Sequence, residues 1–198
     1  GMENVILRNV SMLDIDWSVI IPRLEKGYKN EKQYSKLDYY FDGDKKPEEI
    51  ARNRDQAKSV NTQFKWFAFQ QQFFSAIMTS GTEFSSGDFD VKYYAQDDPS
   101  HNLMAASAKL RADFTNVSGN FAIQNDFYFG PNDYKTLKSY DMNYEKIIPL
   151  GGWLVSWISR FVIIPIFDFL GKFIKNYGLI ILLMTIIIKL VIMPLTMK

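Results

Sequence analysis

One ionisable side chain stands where water is not expected. Lys189 lies within Leu179 to Leu195, seventeen residues of which twelve are Leu, Ile or Val. As an α-helix this run rises roughly 25 Å, close to the ~30 Å hydrocarbon thickness of a bilayer, so it reads as a membrane span. On insertion scales a central Lys costs roughly 2.5 to 3.5 kcal/mol, while each Leu, Ile or Val returns about 0.3 to 0.6. The aliphatics outweigh the one charge, yet the charge needs a reason. Two are open. The ammonium snorkels to the headgroups from near a helix end, or it faces a water-filled cavity among helices and meets acidic groups of a passing substrate. Thr185 lies one turn earlier on the same face. Its hydroxyl either keeps that face wet or bonds a carbonyl of its own helix.

Elsewhere the chain offers little catalytic material. It has no Cys, hence no disulfide framework and no thiolate metal site. Its one His, His101, follows Ser100 in a turn-rich stretch and reads as a solvated loop residue. There is no Gly-x-Ser-x-Gly elbow, no phosphate-binding Gly loop and no His cluster at metal-ligand spacing, so no catalytic residue, cofactor or metal is expected. No basic stripe is interleaved with aromatics, which argues against a nucleic-acid partner. Asn9-Val10-Ser11 and Asn116-Val117-Ser118 fit the glycosylation sequon, a pattern too short to carry weight.

The elements that must position Lys189 fall into two unlike parts. Residues 1–150 carry 18 Lys and Arg against 21 Asp and Glu, a formal charge of −3. Residues 151–198 carry Arg160, Lys172, Lys175, Lys189 and Lys198 against Asp168 alone. In the first part Leu13 to Val19 alternates apolar and polar residues, as do Phe89-Val91-Tyr93 and Ala106 to Phe114. Phe121 and Ile123, then Phe127 and Phe129, continue the pattern, which is that of strands half-buried on one face. Phe64 to Met78 is aromatic throughout, as a strand pair packed on both faces would be. Turn signals stand at Asp42-Gly43-Asp44, Ser80-Gly81, Ser85-Ser86-Gly87, Asp97 to Ser100 and Ser118-Gly119-Asn120. Only Pro47 to Val60 has helical character. The expectation is an antiparallel β-sandwich over 1–150.

After Gly151-Gly152 the periodicity turns helical. Ser156, Ser159 and Arg160 form one narrow polar stripe, Asp168, Lys172, Lys175 and Asn176 a second, and Pro165 interrupts the helix between them. Residues 151–178 are therefore expected to form an amphipathic helix lying along a membrane surface, and 179–198 a membrane-spanning helix. Reading Trp153 to Leu170 as a further span conflicts with Arg160, Pro165 and Asp168 inside it. Gly1 to Arg8 lacks the long apolar run of an export signal.

Tyr177-Gly178, an aliphatic stretch, then Lys189 five positions before Pro194-Leu195-Thr196 resemble the opening of the insertase core of the YidC/Oxa1/Alb3 family. Phe129-Gly130-Pro131 resembles the Gly-Pro that closes a late strand of the family's bacterial periplasmic domain. Trp66 to Phe74 is similar to its aromatic middle strand, and Gly152-Trp153 with the amphipathic stretch beyond it resembles its surface helix. The resemblance implies a non-enzymatic insertase of the bacterial inner membrane, with residues 1–178 on the periplasmic side. Lys189, a Lys where many relatives have Arg, would line a hydrophilic groove with Thr185 nearby. It further implies a large sandwich akin to sugar epimerases, only partly present, with the first span, the cytoplasmic hairpin and the later spans lying outside residues 1–198. Nascent membrane proteins and the lipid bilayer would be the partners, with contact to the Sec translocon left open. A membrane-anchored sugar-binding or epimerase-like domain is the alternative, and a single-pass anchored binding domain a third reading.

Overall fold

The computed structural model describes residues 12–113, 116–117, 120–121, 124–149 and 157–196. The sequons, the turn at Ser118, the strand ends at Phe114 and Ile123 and the segment Gly151 to Ser156 fall wholly or partly outside that range. The chain separates into two compact units, 1–148 and 149–198.

The first unit is two antiparallel sheets. One runs in the order β1 (Met12–Pro22), β8 (Asn102–Asp113), β7 (Ser86–Tyr93), β4 (Gln56–Val60). The other runs β11 (Asn125–Pro131), β6 (Phe74–Phe84), β5 (Phe64–Gln70), β2 (Lys36–Tyr40), β3 (Glu48–Ile50). The short strands β9 (Asn116–Val117) and β10 (Asn120–Phe121) pair only with each other. Between the two large sheets lies one core, where Phe89, Val91, Met104 and Leu110 of the first meet Leu37, Phe64, Phe67 and Met78 of the second. Tyr39 stacks on Phe89 across that gap at 5.8 Å. The strand periodicities in Leu13–Val19, Phe89–Tyr93 and Ala106–Ala112 place their apolar residues on this inner side.

The five-stranded sheet is buried on both faces, which explains its aromatic density. On its outer side Tyr40, Trp66, Ala68, Ile77 and Tyr128 are covered by Leu137, Tyr144 and Ile147. These come from helix α2 (Tyr134–Ser139) and a 3-10 turn (Tyr144–Ile147). Asp133 caps α2 by accepting from the Thr136 N–H at 2.8 Å.

Three expectations are corrected. Pro47 to Val60 is not helical: it forms β3 and β4, edge strands of different sheets, with Ala51 and Asn53 between them at positive φ, which a right-handed helix does not admit. The helix of this region is instead α1 (Tyr28–Tyr34), upstream. Ser80-Gly81 is no turn but the interior of β6, where the Gly81 N–H donates to the Gln124 carbonyl. Finally, Phe127 and Phe129 alternate as expected, yet they are 55% and 68% exposed because β11 is an edge strand. The buried residue of that strand is Tyr128, on the outer face.

In the second unit a helix beginning at Trp157 widens into a π turn at Ser159–Ile163 and continues as α3 (Ile164–Phe173). The interruption at Pro165 takes that local form. Pro165 has no N–H to offer the carbonyl four residues back, and a wider turn lets the helix continue past the missing donor. Helix α4 (Tyr177–Thr196) comes next. Among the described residues no helix is long and apolar enough to cross a membrane.

Candidate functional site

Helix α4 starts on a built cap. The Asn176 side-chain oxygen accepts from the N–H groups of Gly178 at 3.0 Å and Leu179 at 3.3 Å, satisfying two donors that a helix start leaves open. A Cβ on Gly178 would stand 3.2 Å from that oxygen, which is why a glycine suits this position. Asn176 therefore serves as a cap and not as part of a polar face. Lys175 lies beyond the end of α3, which leaves Asp168 and Lys172 to mark its polar side.

Lys189 is exposed on α4, four residues, roughly 6 Å, beyond Thr185. The Thr185 hydroxyl donates to the Ile181 carbonyl at 2.8 Å. Of the two uses open to it, the structure shows the bond within its own helix. Around Lys189 the helix surface is greasy: Leu182, Ile186, Leu190 and Met193 are exposed, while Ile180 and Met184 are buried. Upstream, Trp157, Phe161, Phe169 and Phe173 are also exposed. Exposed apolar surface of this extent is typical of sites that meet another protein or a lipid phase.

A second cluster lies in the β unit and was missed in the sequence. Lys36 Nζ donates to Asp38 Oδ1 at 2.8 Å and to Glu49 Oε2 at 2.9 Å, and Glu49 also holds Arg52. Asp38 is fully buried, and that burial, opposed by Lys36, pushes its carboxyl up to about 6. Nearby, Tyr93 reaches the Ser35 and Ala51 carbonyls, and burial raises its hydroxyl further above the ordinary tyrosine range. The only signal was that Lys36, Asp38 and Tyr40 share a strand face. Polar residues at such spacing read as a solvated side, and here that side is covered.

His101 sits at positive φ in an exposed turn, its Nδ1 3.4 Å from Arg23. An apolar groove of about 490 Å3 opens beside Val19, Ile21, Phe69, Phe74 and Phe129.

A two-sheet β unit is thus followed in the chain by an aromatic-studded helix and an aliphatic helix with one cation. The profile of the YidC periplasmic domain matches residues 19–165, and the chain belongs to that family. It is similar to the membrane protein insertase YidC of Parabacteroides distasonis, at 35% identity over all of this chain and 32% of the relative. The protein of that name from Azobacteroides pseudotrichonymphae is also 35% identical over the whole chain and 33% of its own length. That of Bacteroides fragilis is 32% identical over the whole chain and 32% of its length. The chain spans about a third of the length of the curated relatives it matches.

Proposed function

We propose that this chain is part of a non-enzymatic membrane protein insertase of the bacterial inner membrane. Residues 1–150 form its periplasmic β domain, 151–178 a surface helix and 179–198 a membrane span opening the insertase core. The observation that carries the reading is Lys189, an exposed cation ringed by exposed aliphatics on α4, in a chain of the YidC periplasmic domain family.

Physically, an insertase lowers the cost of moving a polar flank out of water while its apolar neighbour enters lipid. A groove polar on one side and open to acyl chains on the other lets the flank desolvate gradually. Lys189 attracts acidic flanks of the incoming chain, an effect strengthened by low dielectric. The exposed Trp157, Phe161, Phe169 and Phe173 suit a helix lying at the bilayer surface. Nascent membrane proteins and lipid are the partners of this reading, which leaves contact with the Sec translocon open. The test is Lys189→Ala in the full-length protein: insertion of substrates with acidic flanks should fall, while Lys189→Arg retains it. Insertion unaffected by the Ala change would remove the proposed role.

A further inference from the structure

The outer face of the five-stranded sheet holds two acceptors with nothing to accept. Asp38 Oδ2 and Gln70 Oε1 are buried and have no hydrogen-bond partner; of the other such oxygens among the described residues, that of Gln72 lies in the loop between β5 and β6 and that of Asn125 at the start of β11. In the β2–β5 register Lys36 stands opposite Gln70 and Asp38 opposite Ala68. Asp38 and Gln70 are thus diagonal neighbours on one face, a spacing within reach of a side chain as long as that of Gln70. The other end of Gln70 is engaged: its Nε2 donates to the Ile147 carbonyl, at a long 3.3 Å. Ile147 closes the 3-10 turn from which the chain leaves the β unit.

Two bare acceptors at diagonal positions on one sheet face can be served by a single donor, and a carboxyl becomes one when it takes up a proton. We propose that Asp38 and Gln70 form a proton-operated tie: protonated Asp38 donates from Oδ2 to Gln70 Oε1, and the amide so polarised tightens its hold on the Ile147 carbonyl. The tie closes in mildly acid medium and opens at neutral pH, setting how firmly the exit segment is fastened to the sheet.

The charges around Asp38 permit the change. Lys36 from its own strand, Glu49 from β3 and Arg52 just beyond face it, while Gln70 of β5 is neutral. On the covering turn Lys146 is engaged by the Tyr40 hydroxyl at 2.9 Å and the Asp44 carbonyl at 2.6 Å. When Asp38 is neutral, Lys36 keeps Glu49 as its counter-ion, so no buried charge is stranded. The desolvation that lifts the Asp38 carboxyl brings the transition within reach of a mildly acid medium. Hydrogen bonds in series strengthen one another, so a donor on Oε1 makes the Gln70 N–H a better donor to Ile147.

The test is NMR of the complete chain in detergent micelles, following the Asp38 carboxyl carbon and the Gln70 side-chain amide protons from pH 8 to 4. Both should titrate with one midpoint, with the Gln70 amide protons and the Ile148 backbone amide exchanging more slowly on the acid side. In Gln70→Met the protonated carboxyl loses its acceptor, and the Asp38 midpoint should fall by roughly half a pH unit or more. Gln70 signals that ignore the Asp38 transition overturn the proposal in the native chain alone. An Asp38 midpoint unchanged or raised in Gln70→Met overturns it as well.

Discussion

The indole of Trp66 and the carbonyl of Met142, 76 residues apart, are joined by a hydrogen bond of 2.8 Å. This bond fastens the covering segment to the middle of the five-stranded sheet. Trp66 is fully buried, stacks on Tyr40 at 5.1 Å and meets Tyr144 edge-on at 5.6 Å, so its ring is held from three directions. Trp66→Phe removes the donor and leaves a void, and should cost about 2 kcal/mol. The loss is read from the denaturation midpoint of the β unit at constant slope. A change under ~0.5 kcal/mol would mean that the bond adds nothing beyond ring volume.

Gly130 supports a second prediction. A Cβ there would lie 2.6 Å from the Tyr128 hydroxyl oxygen and 2.7 Å from the ring carbon that bears it. That hydroxyl donates to the Pro131 carbonyl at 2.6 Å, so the ring folds back across the strand end. Gly130→Ala should displace the ring and destabilise the β unit by roughly 1–3 kcal/mol. Truncating the ring first, in Tyr128→Ala, should leave the added methyl nearly silent. Full additivity of the two changes in a double-mutant cycle would refute the clash.

The strands that build the sandwich were legible because each buries one face and solvates the other. In β1 and β8 the alternation of residue type is the alternation of burial. Legibility failed where both faces are covered, since Lys36 and Asp38 of β2 are buried polar residues that pair with each other, and the further partner of Lys36, Glu49, lies across a chain reversal. It failed again in Pro47 to Val60, where Ala51 and Asn53 take positive φ: an Asn tolerates that conformation, but nothing in Ala51 announces it. At the candidate site, Lys189 stood out as a charge among aliphatics. The bond from Thr185 to Ile181 was one of two uses that the sequence alone could not choose between.

Asp38 should give the β unit an unusual acid response. Its carboxyl lies at about 6 in the folded chain against 3.8 for the free group, so the folded state holds a proton that the unfolded state releases between those values. Stability therefore rises as pH falls from about 6 toward 4, with a ceiling of about 3 kcal/mol. Asp133 works in the opposite sense. The Thr136 hydroxyl and N–H hold its carboxyl below the usual range, so its contribution is lost only as pH falls below 3.8. Thermal unfolding should thus show a maximum near pH 4, and Asp38→Asn should flatten the rise from pH 6. A midpoint that drops steadily from pH 7 to 5 in the native chain would contradict this.

Thr185 and Lys189 should separate cleanly in an insertion assay, although they lie one turn apart on the same helix. The Thr185 hydroxyl is committed to the Ile181 carbonyl, so it presents chiefly its methyl group to the surroundings. Thr185→Val keeps that shape and frees a carbonyl that already bonds within the helix, so insertion should stay within about twofold of the native level. On the proposed reading Lys189→Ala removes the charge that attracts an acidic flank, and nothing on α4 replaces it, since Lys189 is the one Lys or Arg in that helix. A loss of about tenfold, equivalent to ~1.4 kcal/mol of interaction, is expected for substrates with acidic flanks and little change for neutral ones. Equal defects in the two variants would show that the hydroxyl leaves its helix bond and turns toward the substrate, and the polar surface would then belong to Thr185 as much as to Lys189.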